Sequence, residues 1–159
     1  MLKVRKRLTA RSWSTGVVLA LLGLLTLAVT MTAQEATEES PTGAAALVEA
    51  ALAATDIQAV INLLEGPGGA FYDSGVTVEG DDGIGLIPRL EAATGLSASD
   101  FAGGGTVESE DPLVQALALA VAIDEALTAA VAGGDSDPAA VLAEQAAALE
   151  SLLALLTGS

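Results

Sequence analysis

The sequence contains no cysteine and no histidine, and no lysine follows Lys6. Without cysteine no disulfide staples the fold, although an oxidising compartment would allow one. Beyond Lys6 the same absences exclude a Ser-His-Asp triad, a thiolate nucleophile, a lysine Schiff base and a His- or Cys-ligated zinc site. Carboxylates, a few hydroxyls, Tyr72 and Arg89 are what remains for chemistry. A pair of carboxylates can hydrolyse a glycosidic bond, but a sugar cleft needs aromatic walls, and beyond residue 33 the aromatics are Phe71, Tyr72 and Phe101. A non-catalytic protein is the expectation.

Positive charge is scarce and confined. Lys3, Arg5, Lys6, Arg7 and Arg11 open the chain, 12–33 carries no charge, and after it all 21 acidic residues face one base, Arg89. A basic start, an apolar core (Val17 to Val29) and a small residue at a cut between Ala33 and Gln34 make residues 1–33 an export signal. An uncharged stretch of this length also fits a retained anchor of roughly 20 residues across the bilayer. Both alternatives leave the cations on the cytoplasmic side and deliver the rest outside, secreted or anchored. Arg7 has no adjacent arginine, which argues against a twin-arginine route, and the lack of cysteine excludes a lipidated cysteine.

Removing 1–33 leaves 126 of the 159 residues, enough for one domain with a core. Its 21 acids against Arg89 amount to 20 net negative charges, a self-repulsion that favours solubility and weakens the compact state at low salt. Nucleic acid is excluded as a partner, because phosphates are bound by clustered Lys or Arg. Anionic lipid surfaces are disfavoured for the same reason, so membrane contact is expected only through 12–33, if uncleaved.

Residues 34–43 (QEATEESPTG) read as a flexible acidic spacer, and 44–159 as a single helical domain. Residues 44–65 favour helix. Ile57, Val60, Ile61 and Leu64 follow one helical stripe, whereas Leu47, Val48 and Leu52 fall on other sides, so the helix is either buried twice or broken at Thr55-Asp56 with a cap there. Gly66-Pro67-Gly68-Gly69 ends it. Residues 70–85 form an irregular Gly/Asp-rich loop in which Val76-Thr77-Val78 supports at most a brief strand. Residues 86–94 return to helix, with Pro88 in its first turn and Gly95 as its stop. Residues 97–109 form a second loop.

Asp111-Pro112 and Asp137-Pro138 repeat one helix-start signal, a capping Asp before a Pro at the first helical position. Gly133-Gly134 closes the first of these helices, so 111–157 is expected to be an antiparallel helical hairpin. Leu142, Gln145, Leu149, Leu152 and Leu156 form its second seam, facing Leu113, Leu117, Ala120, Ile123, Leu127 and Val131. The fold class is therefore mainly α, a small bundle of four or five helices.

Asp73, Glu79, Asp81 and Asp82 are the candidate metal ligands, of calcium type only. Calcium takes six to eight oxygens, and a mobile acidic loop supplies them. The spacing is not that of an EF-hand, because Gly83 at the invariant glycine puts Val78 first and Arg89 twelfth. The bland counterpart is a solvated acidic loop whose glycines permit tight turns. No other cofactor is implied. Gly83-Ile84-Gly85 opens a dinucleotide fingerprint, but Pro88 stands at its third glycine and Asp81-Asp82 would repel a pyrophosphate. Arg89 is expected in an ion pair, with Glu91 or the Asp81-Asp82 pair.

Val60-Ile61-Asn62-Leu63-Leu64-Glu65-Gly66 followed by Gly80-Asp81-Asp82-Gly83-Ile84-Gly85-Leu86-Ile87-Pro88-Arg89-Leu90-Glu91 resembles a segment of exported bacterial proteins of uncharacterised function. There a helix closing on an I-N-I-L-x-G-type phrase leads through a Gly-Asp-rich loop into a G-D-G-x-G-L phrase and another helix. The resemblance covers 56–92. Family members often carry His in the turn before that Asn, where this chain has Ile57, Gln58 and Ala59, so a metal role for such histidines does not carry over. The resemblance implies an exported helical domain and no activity. The expected role is that of an acidic structural or interaction module at the cell envelope or outside the cell, with an unidentified protein or envelope partner. The alternative is a low-affinity calcium-responsive module.

Overall fold

A computed structural model describes residues 41–134 and 137–159. The chain divides into two units, Met1–Gln34 and Glu35–Ser159. The first, with the expected export signal, lies outside the described residues, as does most of the expected spacer.

The described residues are mainly α, with five α-helices and no strand among them: α1 (Pro41–Ala53), α2 (Ile57–Glu65), α3 (Leu86–Thr94), α4 (Pro112–Gly133) and α5 (Pro138–Thr157). Two 3-10 turns, Ala98–Asp100 and Ala102–Gly104, occupy the second loop. α1 takes in Pro41 to Gly43, the end of the segment that polarity assigns to the spacer. A proline in a first turn costs nothing, because that N–H has no helical partner.

The helix ends follow local chemistry. The break between α1 and α2 falls where the apolar stripe changes phase, and the Asp56 carboxylate accepts the Gln58 N–H at 2.7 Å as the α2 N-cap. Asp111 and Asp137 cap α4 and α5 by accepting from the Leu113 and Ala140 N–H groups, each with Pro next. Gly95 ends α3 in the left-handed region, as does Gly134 for α4.

α4 sits at the centre, touched by α2, α3, α5 and both 3-10 turns, while α5 also lies along α1. This central place explains where the seam expected for α4 is incomplete. Leu117, Ala120, Ile123 and Leu127 are buried, but so are Val114, Ala116 and Val121 on other sides, whereas Val131 is 48% exposed at the helix end. On α5, Leu149, Leu152 and Leu156 are buried as the seam requires, and Val141 takes the place expected of Leu142, which is half-buried like Gln145. A helix packed on two neighbours buries a broader face than a two-stranded seam. By length and composition alone α4 and α5 are apolar enough to cross a membrane.

Candidate functional site

The Gly/Asp loop is held by a row of polar side chains on α2. Gln58, Asn62 and Glu65 recur at helical spacing beside the apolar stripe, and each reaches loop backbone. Asn62 is fully buried. Its amide NH2 donates to the Asp73 carbonyl at 2.8 Å and the Val76 carbonyl at 3.0 Å, and its oxygen accepts from the Asp73 N–H at 2.9 Å and from Gln58 Nε2. Gln58 Nε2 also donates to the Phe71 carbonyl, and the Glu65 carboxylate accepts the Phe71 N–H, both at 2.7 Å. A buried asparagine with all its bonding capacity used is stabilising, whereas one left half-satisfied is costly. The carbonyl of Val76 therefore pairs with a side chain, and the β-favouring Val76-Thr77-Val78 run forms no strand.

Two glycines close the base of the loop. A Cβ at Gly66 (φ 67°) would stand 2.0 Å from the Ile84 carbonyl oxygen, and one at Gly85 (φ 87°) 2.5 Å from the Gly66 nitrogen. Backbone crosses backbone there, and any side chain would force the strands of chain apart. The 66–85 segment is thus closed at its neck and filled by bonds from α2, a compact loop longer than an ordinary Ω-loop.

The four candidate ligands fall at separate places on this loop. Asp73 accepts the Gly75 N–H and Asp81 the Gly83 N–H, both at 2.8 Å, closing Asx turns within their own segments. Asp82 accepts the Ile84 N–H and makes an ion pair with Arg89, which is 8% exposed on α3. Hydrogen bonding from Arg89 holds the Asp82 carboxyl below its usual range. Glu79 is exposed. No group of three or more acidic side chains is placed to hold a metal ion among the described residues. Of the expected partners of Arg89, Asp82 takes the role, while Glu91 accepts the Ala98 N–H at 2.6 Å beside the first 3-10 turn. Gly43 in the first turn of α1 also approaches Arg89: a Cβ there would lie 3.1 Å from Nη1.

One carboxyl that sequence reasoning left aside has the most altered chemistry. Asp124, in the middle of α4, has a buried Oδ1 with no hydrogen-bond partner. Burial, then the negative charges of Glu65 and Glu125, push its pKa up to about 7. Its pattern on α4 offered no signal, because the burial comes from the elements packed around α4 and Glu65 arrives from α2.

Along the outer side of the loop runs a groove of about 620 Å3, between the second half of α1 and residues 76–80. Ala50, Ala54, Ala59, Val76 and Val78 form its apolar floor, and the carboxylates of Glu49, Asp56 and Glu79 stand at its exposed rim. A Cβ at Gly80 (φ 91°) would stand 3.1 Å from the Ala50 methyl, so the loop passes close to α1 here. The groove joins an acidic rim to a floor of small side chains. Besides these carboxylates, its polar lining is the hydroxyls of Thr55 and Thr77.

Comparison with known proteins finds no matching family model, no similar curated protein and no similar solved structure, so the functional reading rests on this site and on the charge pattern of the chain.

Proposed function

We propose that this chain is an exported, non-catalytic acidic helical module with a structural or interaction role at the cell envelope or outside the cell. The observation that carries the proposal is the partition of charge. Five cations precede the uncharged run 12–33, and the one cation after it, Arg89, is buried against Asp82 and faces no solvent ligand. The likeness of 56–92 to exported bacterial proteins points the same way.

In this reading residues 1–33 are a cleaved signal or a retained anchor, and α4 and α5 form an antiparallel hairpin inside the exported domain. Each contributes leucine and valine side chains to the core, and the ionisable pair Asp124-Glu125 midway along α4 is costly within a bilayer.

Mass spectrometry of the chain recovered from the secretion host tests the proposal. A product outside the cytoplasm is expected, with its N-terminus at or near Gln34 for the cleaved form or intact for the anchored form. A chain retained in the cytosol with its basic start intact would sink it.

A further inference from the structure

The groove beside the loop has a composition that selects its occupant. Its more buried lining is made of alanine and valine side chains, an apolar surface that hydrocarbon can cover. Its rim is acidic at Glu49 on α1, at Asp56 before α2 and at Glu79 on the loop. Lysine and arginine match both features, because their methylene stems lie on apolar surface while their charged heads reach outward.

Within 34–159 the sequence offers no free cation to these carboxylates, of which Asp56 also caps α2. Arg89, the one base there, is buried in its ion pair with Asp82 and does not line the groove. A second copy of the chain is a poor occupant, since two bodies each carrying 20 net negative charges repel. A lone metal ion is a poor one too, because the rim carboxylates form no ligand group.

We propose that this groove docks a lysine- or arginine-bearing peptide segment of a protein partner, with aliphatic stems on Ala50, Ala54, Ala59 and Val78 and cationic heads at Glu49, Asp56 and Glu79. The inference rests on the interaction reading above and gives the partner its chemistry. Charge attracts the segment from a distance and fixes its register, and the apolar floor retains it.

The test uses the full chain recovered after export and a fluorescent peptide of about 12 residues alternating lysine with alanine and leucine. A glutamine-for-lysine version of that peptide and free spermidine are run beside it. Affinity is read by anisotropy at about 50 and about 300 mM salt. The lysine peptide is expected to bind, and the glutamine peptide and spermidine to bind at least about tenfold more weakly. The double variant Glu49→Gln/Glu79→Gln removes two exposed rim charges and is expected to weaken the lysine peptide by about tenfold. Glu144→Gln/Glu150→Gln removes the same charge from the exposed side of α5 and is expected to change affinity by less than about twofold.

Equal weakening by the two double variants would mean that only the overall field attracts the peptide, and would overturn the proposal. So would absence of binding, tight binding of the glutamine peptide, or photo-crosslinks from the lysine peptide outside 46–59 and 76–80. A chain that is exported but fails these tests loses the groove assignment and keeps the interaction reading. A chain that stays in the cytosol loses the reading, whatever the peptide does.

Discussion

The loop at 66–85 and the pair α4 and α5 are held by opposite means. The loop owes its shape to polar side chains of α2 that bond its backbone, with Asn62 alone engaged at four points. α4 and α5 owe theirs to leucine, valine and alanine packing, and the one strongly perturbed carboxyl on α4, Asp124, is a defect in that packing. A chain with so much negative charge and no disulfide thus uses burial to hold its helices and hydrogen bonds to hold a segment too polar to bury. The loop should therefore be able to fail while the helices stand, whereas loss of the helices should take the loop with them.

The largest effect is expected from Asn62→Ala, which strands the Asp73 N–H and the Asp73 and Val76 carbonyls and costs about 4 kcal/mol if the loop stays in place. Because Asp73 is exposed and Val76 half-buried, the loop relieves that cost by opening to water. Hydrogen exchange should then become fast across 66–85 while α4 and α5 keep their protection. Loss of protection everywhere at once would mean that the two regions are a single cooperative unit.

Leu117→Ala should do the reverse. It removes a fully buried side chain from the central helix at a cost of about 3 kcal/mol, and denaturant unfolding should show loop and helices lost together.

Asp124→Asn sharpens the comparison through pH. The folded-state pKa of about 7 stands above the ordinary value of 3.8, so between those values the folded chain binds more protons than the unfolded one. Stability from this group is complete at low pH and is lost as pH rises through 7. Asparagine should therefore raise stability at pH 8 by on the order of 1 kcal/mol after discounting for partial exposure, read as a higher melting midpoint, with little change at pH 4. A gain of equal size at both pH values would refute the assignment. Asp82 works in the opposite sense, its carboxyl being held low by Arg89, so the support it lends is present above the usual carboxylate range and falls away in acid.

The smallest effect concerns calcium. With Asp73 and Asp81 each bonded within its own turn and Asp82 paired with Arg89, millimolar calcium and sodium chloride at matched ionic strength should raise the melting midpoint equally, through screening of the net charge. A distinctly larger shift with calcium would establish a site for it.

The helix boundaries were legible because their causes are local. Asp56, Asp111 and Asp137 cap with their own side chains, and Gly95 and Gly134 take a conformation that other residues avoid. The α1 to α2 break was legible from a change in stripe phase. The Asn62 clamp was half legible: Gln58, Asn62 and Glu65 form a second stripe at helical spacing in the sequence, but a polar stripe normally means a wet face, and only the returning loop makes it a buried one. The wide burial of α4, the exposure of Val131 and the shifted pKa of Asp124 depend on which helices surround α4, and no local pattern encodes that. The groove was illegible for the same reason, since α1 and residues 76–80 meet only in the fold.

The neck at Gly66 and Gly85 carries a consequence for how this protein can change. Where two backbones touch at the base, the helices below register the distance between those two points and not the length of chain that travels between them. Lengthening a closed excursion is cheap, about 0.6 kcal/mol for each doubling, so residues added at the exposed Ser74-Gly75 turn should cost little beyond the Asp73 turn bonds that they open, a result that calorimetry can check. The molecule then behaves as a socket with an exchangeable cassette, able to alter what it displays while its helical base keeps one geometry.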